Sequence, residues 1–334
     1  MAASSRSGIS GKIWGLAAGI ILVIAVYTAG WFYAASLLKE KTLAILGEQQ
    51  RNGVTAECSD ADYRGFPFRI GLFCSKVAID DRDNGVAVTF GALRSAAQIY
   101  QPRHIVWELD GPAETRTSHG FTASSQWQNL QSSLITTLGG VERSSTVIKG
   151  LQTNIVSTQT QQTINLAVAD TEAHLRQNGA DLDAAITLKD MVLTSAGLPQ
   201  TLPKFTAVAD VTLAGKAAML AGQDGGKGLY GTQGEMRQVG IDLGNGQLLS
   251  VSGPFSIDDE GRISGKLKLR VDKIAAWRDQ LKANLPQAAP TIDTASKMLS
   301  ALTGGGDSAS LDLTLSRGKV LVGGFIAIGE IPPI

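Results

Sequence analysis

Two cysteines, three histidines and two acidic clusters are the residues of this 334-residue chain whose types and spacing could support chemistry. Cys58 and Cys74 are its only cysteines, and Tyr63-Arg64-Gly65-Phe66-Pro67-Phe68-Arg69-Ile70 runs between them. A turn at Gly65-Phe66-Pro67 joining two strands would set the two thiols opposite one another. Neighbouring antiparallel strands supply the Cα separation of about 4.4 to 6.8 Å that a disulfide needs. Closing such a loop contributes about 3 kcal/mol. The alternative is a pair of free, buried thiols in a reducing compartment. Two thiols without a nearby histidine are too few to ligate a metal. His104, His119 and His174 stand far apart without ligand-spaced partners and read as ordinary strand or surface residues. Asp80-Asp81-Arg82-Asp83 before Asn84-Gly85, and Asp258-Asp259-Glu260-Gly261, read as Asp-rich turns rather than calcium loops. There is no nucleophile elbow and no phosphate loop. The sequence therefore predicts no catalytic residue, no metal site and no cofactor, and the chain reads as a non-enzyme.

The element that must position everything else is the run from Ile13 to Leu38, which contains no charged residue. Its length exceeds the roughly 20 residues that cross a hydrocarbon core as a helix. Trp31 and Tyr33 lie near its far end, where amphipathic aromatics favour the interface. Residues 1–12 read as a cytoplasmic leader carrying Arg6 and Lys12, 13–38 as the transmembrane helix, and 39–52 as its juxtamembrane continuation, stopped by Asn52-Gly53. The alternative is a cleaved signal peptide, which shares the basic leader and apolar core. Together with the cysteines, the run predicts a single-pass membrane protein with its body on the oxidising side.

The body, 53–334, has the composition of a β protein. The chain holds 38 glycines, 5 tyrosines and 5 tryptophans, and only 18% of its residues are charged. Thirty basic and thirty acidic residues cancel, and no basic cluster stands out, which argues against nucleic acid as a partner. Period-two alternation is the dominant pattern. In 263–272, Ile263, Gly265, Leu267, Leu269 and Val271 alternate with Ser264, Lys266, Lys268, Arg270 and Asp272. Leu182 to Leu188, Phe205 to Leu213 and Leu311 to Leu315 repeat the pattern. Asn84-Gly85, Asn178-Gly179, Asn245-Gly246 and Arg317-Gly318 punctuate it as hairpin turns. Strands without long helices between them predict a large, curved antiparallel sheet, a meander. Gly222 to Gly234 reads as an exposed loop. Residues 273–302 are the one helical part of the body, a pair interrupted at Pro286 and Pro290. This pair either lies over the apolar face of the sheet, covering it with Trp277, Leu281, Met298 and Leu302, or plugs its end.

Two stretches carry a family resemblance. One is Gly65-Phe66-Pro67-Phe68-Arg69, bracketed by Cys58 and Cys74 shortly after the span; the other is the C-terminal Gly324-Phe325-Ile326-Ala327-Ile328-Gly329-Glu330-Ile331-Pro332-Pro333. The arrangement resembles the domain of unknown function 2125 family of bacterial membrane-anchored envelope proteins. That resemblance implies a bacterial inner membrane with the body in the periplasm; it implies no activity and carries over no catalytic residue. More loosely, a single span followed by a long sheet is similar to the AsmA-type envelope proteins, implicated in envelope assembly and lipid movement; this is a likeness of layout. In physical terms, Gly65 permits a tight turn, Pro67 fixes φ, and Phe66 and Phe68 are expected to pack into the apolar face beside the disulfide. The leading functional expectation is a membrane-anchored protein whose sheet presents an apolar groove to a lipid or acyl chain. The alternative is an envelope scaffold that binds other envelope proteins and no ligand.

Overall fold

The computed structural model of the protein describes residues 8–51, 54–137, 139–195, 203–221, 228–302 and 305–334, and for 8–10, 41–51 and 302 the backbone alone. Helix α1, Gly8–Arg51, is unbroken. It is long and apolar enough over Gly11–Glu40 to cross a membrane. Ile13, Trp14, Ile20 to Ile24 and Val26 are bare of protein, as lipid-facing residues would be.

All twenty strands belong to one antiparallel sheet. The first ten come as five pairs: β1 (Val54–Ser59) with β2 (Asp62–Arg64), β3 (Arg69–Cys74) with β4 (Lys76–Asp81), β5 (Val86–Phe90) with β6 (Leu93–Gln98), β7 (Gln101–Leu109) with β8 (Ala113–Thr117), and β9 (Phe121–Gln126) with β10 (Asn129–Thr137). Each pair is one long strand interrupted for one to three residues. The interruption does not disturb the ladder. β1 on β4 and β2 on β3 keep one register, and β4 on β5 and β3 on β6 keep another. Next, β11 (Gly140–Ser157) runs without a break, pairing with β10 along its first half and with β9 along its second. The remaining strands continue the meander: β12 (Thr163–Asn178), β13 (Asp181–Ser195), β14 (Phe205–Leu213), β15 (Gln233–Asp242), β16 (Leu248–Ile257), β17 (Ile263–Asp272), β18 (Ser308–Ser316), β19 (Lys319–Val322) and β20 (Ile326–Glu330).

The interruptions line up into a seam across the sheet. It passes through Asp60-Ala61, Ser75, Gly91-Ala92, Asp110-Gly111-Pro112 and Trp127-Gln128, then through Gly150 of β11 and Asp190 of β13, which have φ of 62° and 51°. Backbone bonds stitch it: Ser75 donates to the Ser59 carbonyl at 2.9 Å, Gly91 to Asp110 at 3.0 Å and Gln128 to Lys149 at 2.9 Å. At the seam the alternation slips. Val86, Val88 and Phe90 are followed by Leu93, not by Ala92; Ile148 is followed by Leu151, and Leu188 by Met191. In an unbroken strand residues three apart face opposite ways. One left-handed or bulged residue between them restores a common face. Burial agrees: Val168 and Thr171, on either side of the seam in β12, are both buried. One mostly apolar face thus continues through the seam. The disulfide predicted from the sequence lies at this seam, joining Cys58 of β1 to Cys74 of β3 with Cα atoms 5.2 Å apart.

In the C-terminal half that face is filled by its own side chains. Leu182, Leu213, Phe255 and Ile257 form one cluster, closed over by Met219 and Leu220 of the short helix α2 (Ala217–Leu220). Leu267, Leu313 and Leu315 form a second, and Val271, Ile274 and Ala309 a third. Strand β17 buries Leu267 and Val271 and exposes Lys266, Lys268 and Arg270, as its alternation predicts. The helical pair is α3 (Ile274–Asn284) and α4 (Ala289–Leu302), joined by a 3-10 turn at Pro286–Ala288 and by Lys282 to Asp293 at 2.8 Å. It stands at the end of β17 and β18 and covers the apolar face only at that rim. Trp277 and Leu299 pack on the third cluster, whereas Leu281 and Met298 are more than a third exposed. The side chain of Leu302 lies outside the described residues. The reason is the anchor: buried Ile274 begins α3 at the rim, so the pair projects from the end of the sheet. The loop reading of 222–234 also needs correction at its end, because Thr232 is buried and Gln233 opens β15; 222–227 lie outside the described residues.

Substituting Leu267→Asp places an unpaired carboxylate in the second cluster, which costs several kcal/mol. The detergent-solubilised protein is expected to lose its cooperative thermal transition. Lys268 lies opposite Asp312 in the ladder, so Lys268→Asp sets like charges together. Lys268→Gln is the neutral control, with an expected loss within about 0.5 kcal/mol. Equal effects of Leu267→Asp and Lys268→Gln in the same melts would contradict this orientation of the strand.

Candidate functional site

Two features stand out from the rest of the surface, and they adjoin. The first is the hairpin between β2 and β3. Its turn is closed by Arg69 N–H donating to the Gly65 carbonyl at 2.9 Å, with Gly65 at a φ of 120°. The sheet does not absorb this tip. It docks on α1 instead. Trp31 Nε1–H donates to the Arg69 carbonyl at 3.0 Å, and the Tyr27 hydroxyl donates to the Pro67 carbonyl. The Phe66 ring lies 5.6 Å from the Trp31 ring and 5.7 Å from that of Phe32. Tyr27, Trp31 and Ala35 share one helix face by their i, i+4 spacing, and Trp31 and Ala35 are buried there. The expectation that Phe66 and Phe68 pack beside the disulfide is therefore corrected: Phe66 meets the helix and Phe68 is 70% exposed. The turn points back along α1, away from the seam, so neither ring can reach the disulfide.

The second feature is a depression on the polar face. Ladder partners share a face, and one cross-strand row reads Phe73, Arg94, Glu108, Gln131, Val147. This row, with Arg69, Ala96, Val106, Ser133 and Ser145, lines a cavity of about 610 Å³. A neighbouring one of about 250 Å³ shares Arg69, Ala96 and Val106 and reaches Gln98, Gln101 and His104 at the next hairpin turn. On the other side, about 270 Å³ shares Ser145 and runs on past Arg143, His174, Arg176, Asp183 and Arg237. The lining alternates apolar patches with cations. Arg94 is spoken for: its guanidinium pairs with both Asp110 oxygens at 2.7 Å, which holds that carboxyl below its usual range, and reaches Glu108 at 3.4 Å. Glu108 also accepts from Gln131 Nε2–H at 2.9 Å. Arg69 and Arg143 make no ion pair among the described residues.

The most constrained charge is Asp183. It is nearly buried and accepts from Arg176 at 2.6 Å, from Thr212 at 2.7 Å and from Arg237 at 3.2 Å. Arg237 also pairs with Asp210. The hydrogen bond from Arg176 is the largest influence on Asp183; against the opposing effect of burial it holds the carboxyl down to about 2, with Thr212 and Arg237 adding to it.

The sequence left the histidines unassigned, and the structure gives two of them a place. His104 Nε2 lies 2.8 Å from Ser133 Oγ, and His174 Nδ1 lies 3.1 Å from Ser145 Oγ. Ser133 and Ser145 are themselves ladder partners. Spacing along the chain carried no signal of this, because 29 residues separate each His from its Ser. A hydrogen-bonded Ser–His pair becomes a nucleophile when a third group orients the imidazole and donors await an oxyanion. Among the described residues no third group is hydrogen-bonded to either imidazole, and both pairs lie along the depression. His119 sits apart in the turn after β8. The acidic turns stay turns: Asp81 accepts from Asn84, and Asp258 accepts from the backbone N–H groups of Glu260 and Arg262. Among the described residues no group of three or more potential ligands gathers for a metal.

A family model described as an uncharacterized protein conserved in bacteria, DUF2125, matches residues 31–332. The chain belongs to the DUF2125 family. No curated protein and no solved structure matches it, and nothing bears out the looser likeness to the AsmA-type proteins. The DUF2125 match begins at Trp31, the residue whose indole holds the hairpin tip. The family description names no activity, so the roles of the site residues rest on geometry alone.

In this DUF2125 protein Asp183 contributes stability while ionised. A lowered carboxyl pKa stabilises the fold above the ordinary carboxylate range, and that contribution is lost as pH falls towards about 2. Asp183→Asn is expected to cost about 3 kcal/mol at neutral pH, by stranding Arg176 and Arg237. It should also flatten the dependence of melting temperature on pH between about 5 and 2. A variant that melts as the wild type does across that range would remove Asp183 from the account.

Proposed function

We propose that this DUF2125 protein is a single-pass inner-membrane protein, its body in the periplasm, that binds an anionic amphiphile along the polar face. The orientation is supported by the disulfide, which persists in oxidising compartments, and by the span itself. One observation carries the binding reading: the depression starts at the hairpin docked on α1. Arg69 supplies the carbonyl that Trp31 holds and also lines both of the first two cavities. A ligand leaving the membrane surface would meet Arg69, free of any ion pair, before the apolar wall of Phe73, Ala96, Val106 and Val147. An acyl chain laid on that wall gains about 0.8 kcal/mol per buried CH₂, and an anionic headgroup gains a guanidinium. This places the groove on the face opposite the one read from the alternation, whose C-terminal part is already filled. The reading assigns no catalysis.

The filled apolar clusters favour a second reading, a scaffold for other envelope proteins. Lipid extracted from the purified full-length protein separates the two. Val106 is nearly half exposed in the depression, so Val106→Asp leaves the fold intact. Mass spectrometry is expected to find a bound anionic lipid with the wild type and about tenfold less with Val106→Asp, as a buried charge against an acyl chain demands. Equal lipid in both would place it around the span rather than in the depression, and the scaffold reading would stand.

A further inference from the structure

We infer that the edge of the sheet itself enters the membrane: the β2–β3 and β6–β7 hairpin tips sit in the headgroup and acyl boundary beside α1. The inference is independent of any ligand in the depression. It starts from a mismatch of lengths. On the face of α1 that carries Tyr27, Trp31 and Ala35, only Ile13 to Val26 is free of the body, because the hairpin docks on that face from Tyr27 onward. Fourteen helical residues rise about 21 Å, and a hydrocarbon core is about 30 Å thick. The missing length falls at Tyr27 to Phe32, the level of the tip. Lys12 marks the other boundary.

The tips have the chemistry of that depth. Phe68 and Tyr100 are 70% and 74% exposed, with Phe66 and Ile99 partly so, and no charged residue lies in 65–68 or 99–100. Such a cluster is costly in water and suits an interface, where aromatic side chains concentrate. Arg69, without an ion pair among the described residues, flanks the first tip and is long enough to reach headgroup phosphates, whereas Arg64 is held by Asp62 at 2.9 Å. The backbone agrees. In lipid each N–H and C=O must be satisfied by the protein. Arg69 N–H bonds the Gly65 carbonyl at 2.9 Å, and Ile99 N–H bonds the Phe68 carbonyl at 3.1 Å. The Pro67 and Arg69 carbonyls accept from Tyr27 and Trp31, which are themselves in the span.

The test labels the full-length protein in phosphatidylethanolamine and phosphatidylglycerol vesicles with an NBD maleimide at single cysteines, the native disulfide left closed. Phe68→Cys and Tyr100→Cys probe the tips, and Asp83→Cys probes the opposite end of the sheet. All three positions are exposed, so the fold is retained. Lipids carrying a doxyl group near the headgroup are expected to quench the first two labels at least about twofold more than the third, with blue-shifted emission. Emission and quenching at 68 and 100 as aqueous as at 83 would overturn the inference.

Discussion

A β-sheet whose strands are interrupted must keep its hydrogen bonds and its apolar face at the same time, and the rest of this structure follows from how it does so. A sharp bend in a regular strand breaks the ladder, and a one-residue shift turns the buried set outward. Here a seam of glycine, left-handed Asp and interrupted strands takes up one extra residue in strand after strand. The register is carried across it from β1 to β6. The buried face survives, and the disulfide and the Arg94–Asp110 pair are placed where the backbone is least regular. Gly150 is part of this economy. A Cβ there would approach Gln128 to 2.8 Å at a φ that side chains resist.

The regular parts of the fold were legible in the sequence. Alternation in 263–272 names the buried residues of β17 because one face meets a core and the other meets water. The disulfide was legible because a turn with two flanking thiols is a local object. The seam was not. A slip in alternation looks like the end of one strand and the start of another, and only the shared register reveals that β5 and β6 are one strand. The Gly-Phe-Pro-Phe-Arg motif read as a turn, which it is. Its partner, however, is a helix face some 40 residues earlier, a relation that leaves no periodicity behind. The polar-face depression was invisible for the opposite reason. Its lining comes from five strands, each contributing two or three residues of unremarkable type.

The two faces of the sheet have divided their tasks. The apolar one is spent largely on cohesion, since it packs Leu267, Phe255 and their neighbours without help from the helical pair. The other carries ion pairs that alternate in sign from strand to strand: Arg94 with Asp110, Lys189 with Glu172, and Arg176 and Arg237 about Asp183. Most of these are exposed, and exposed pairs add little stability. Their consequence is local: they neutralise the cations they pair and leave Arg69 and Arg143, like Lys266 and Lys268 of β17, without an ion pair among the described residues.

The meander also decides the order in which the molecule can be made. Every strand finds its partners in the segments just before and just after it, so no strand waits for a distant one. Contacts of this kind close small loops and form early. Under the proposed orientation, a chain emerging from a translocation channel could therefore add one strand at a time to an edge that α1 and the first hairpin have already founded. The anchor would serve as the template on which the sheet crystallises, before it serves as a tether.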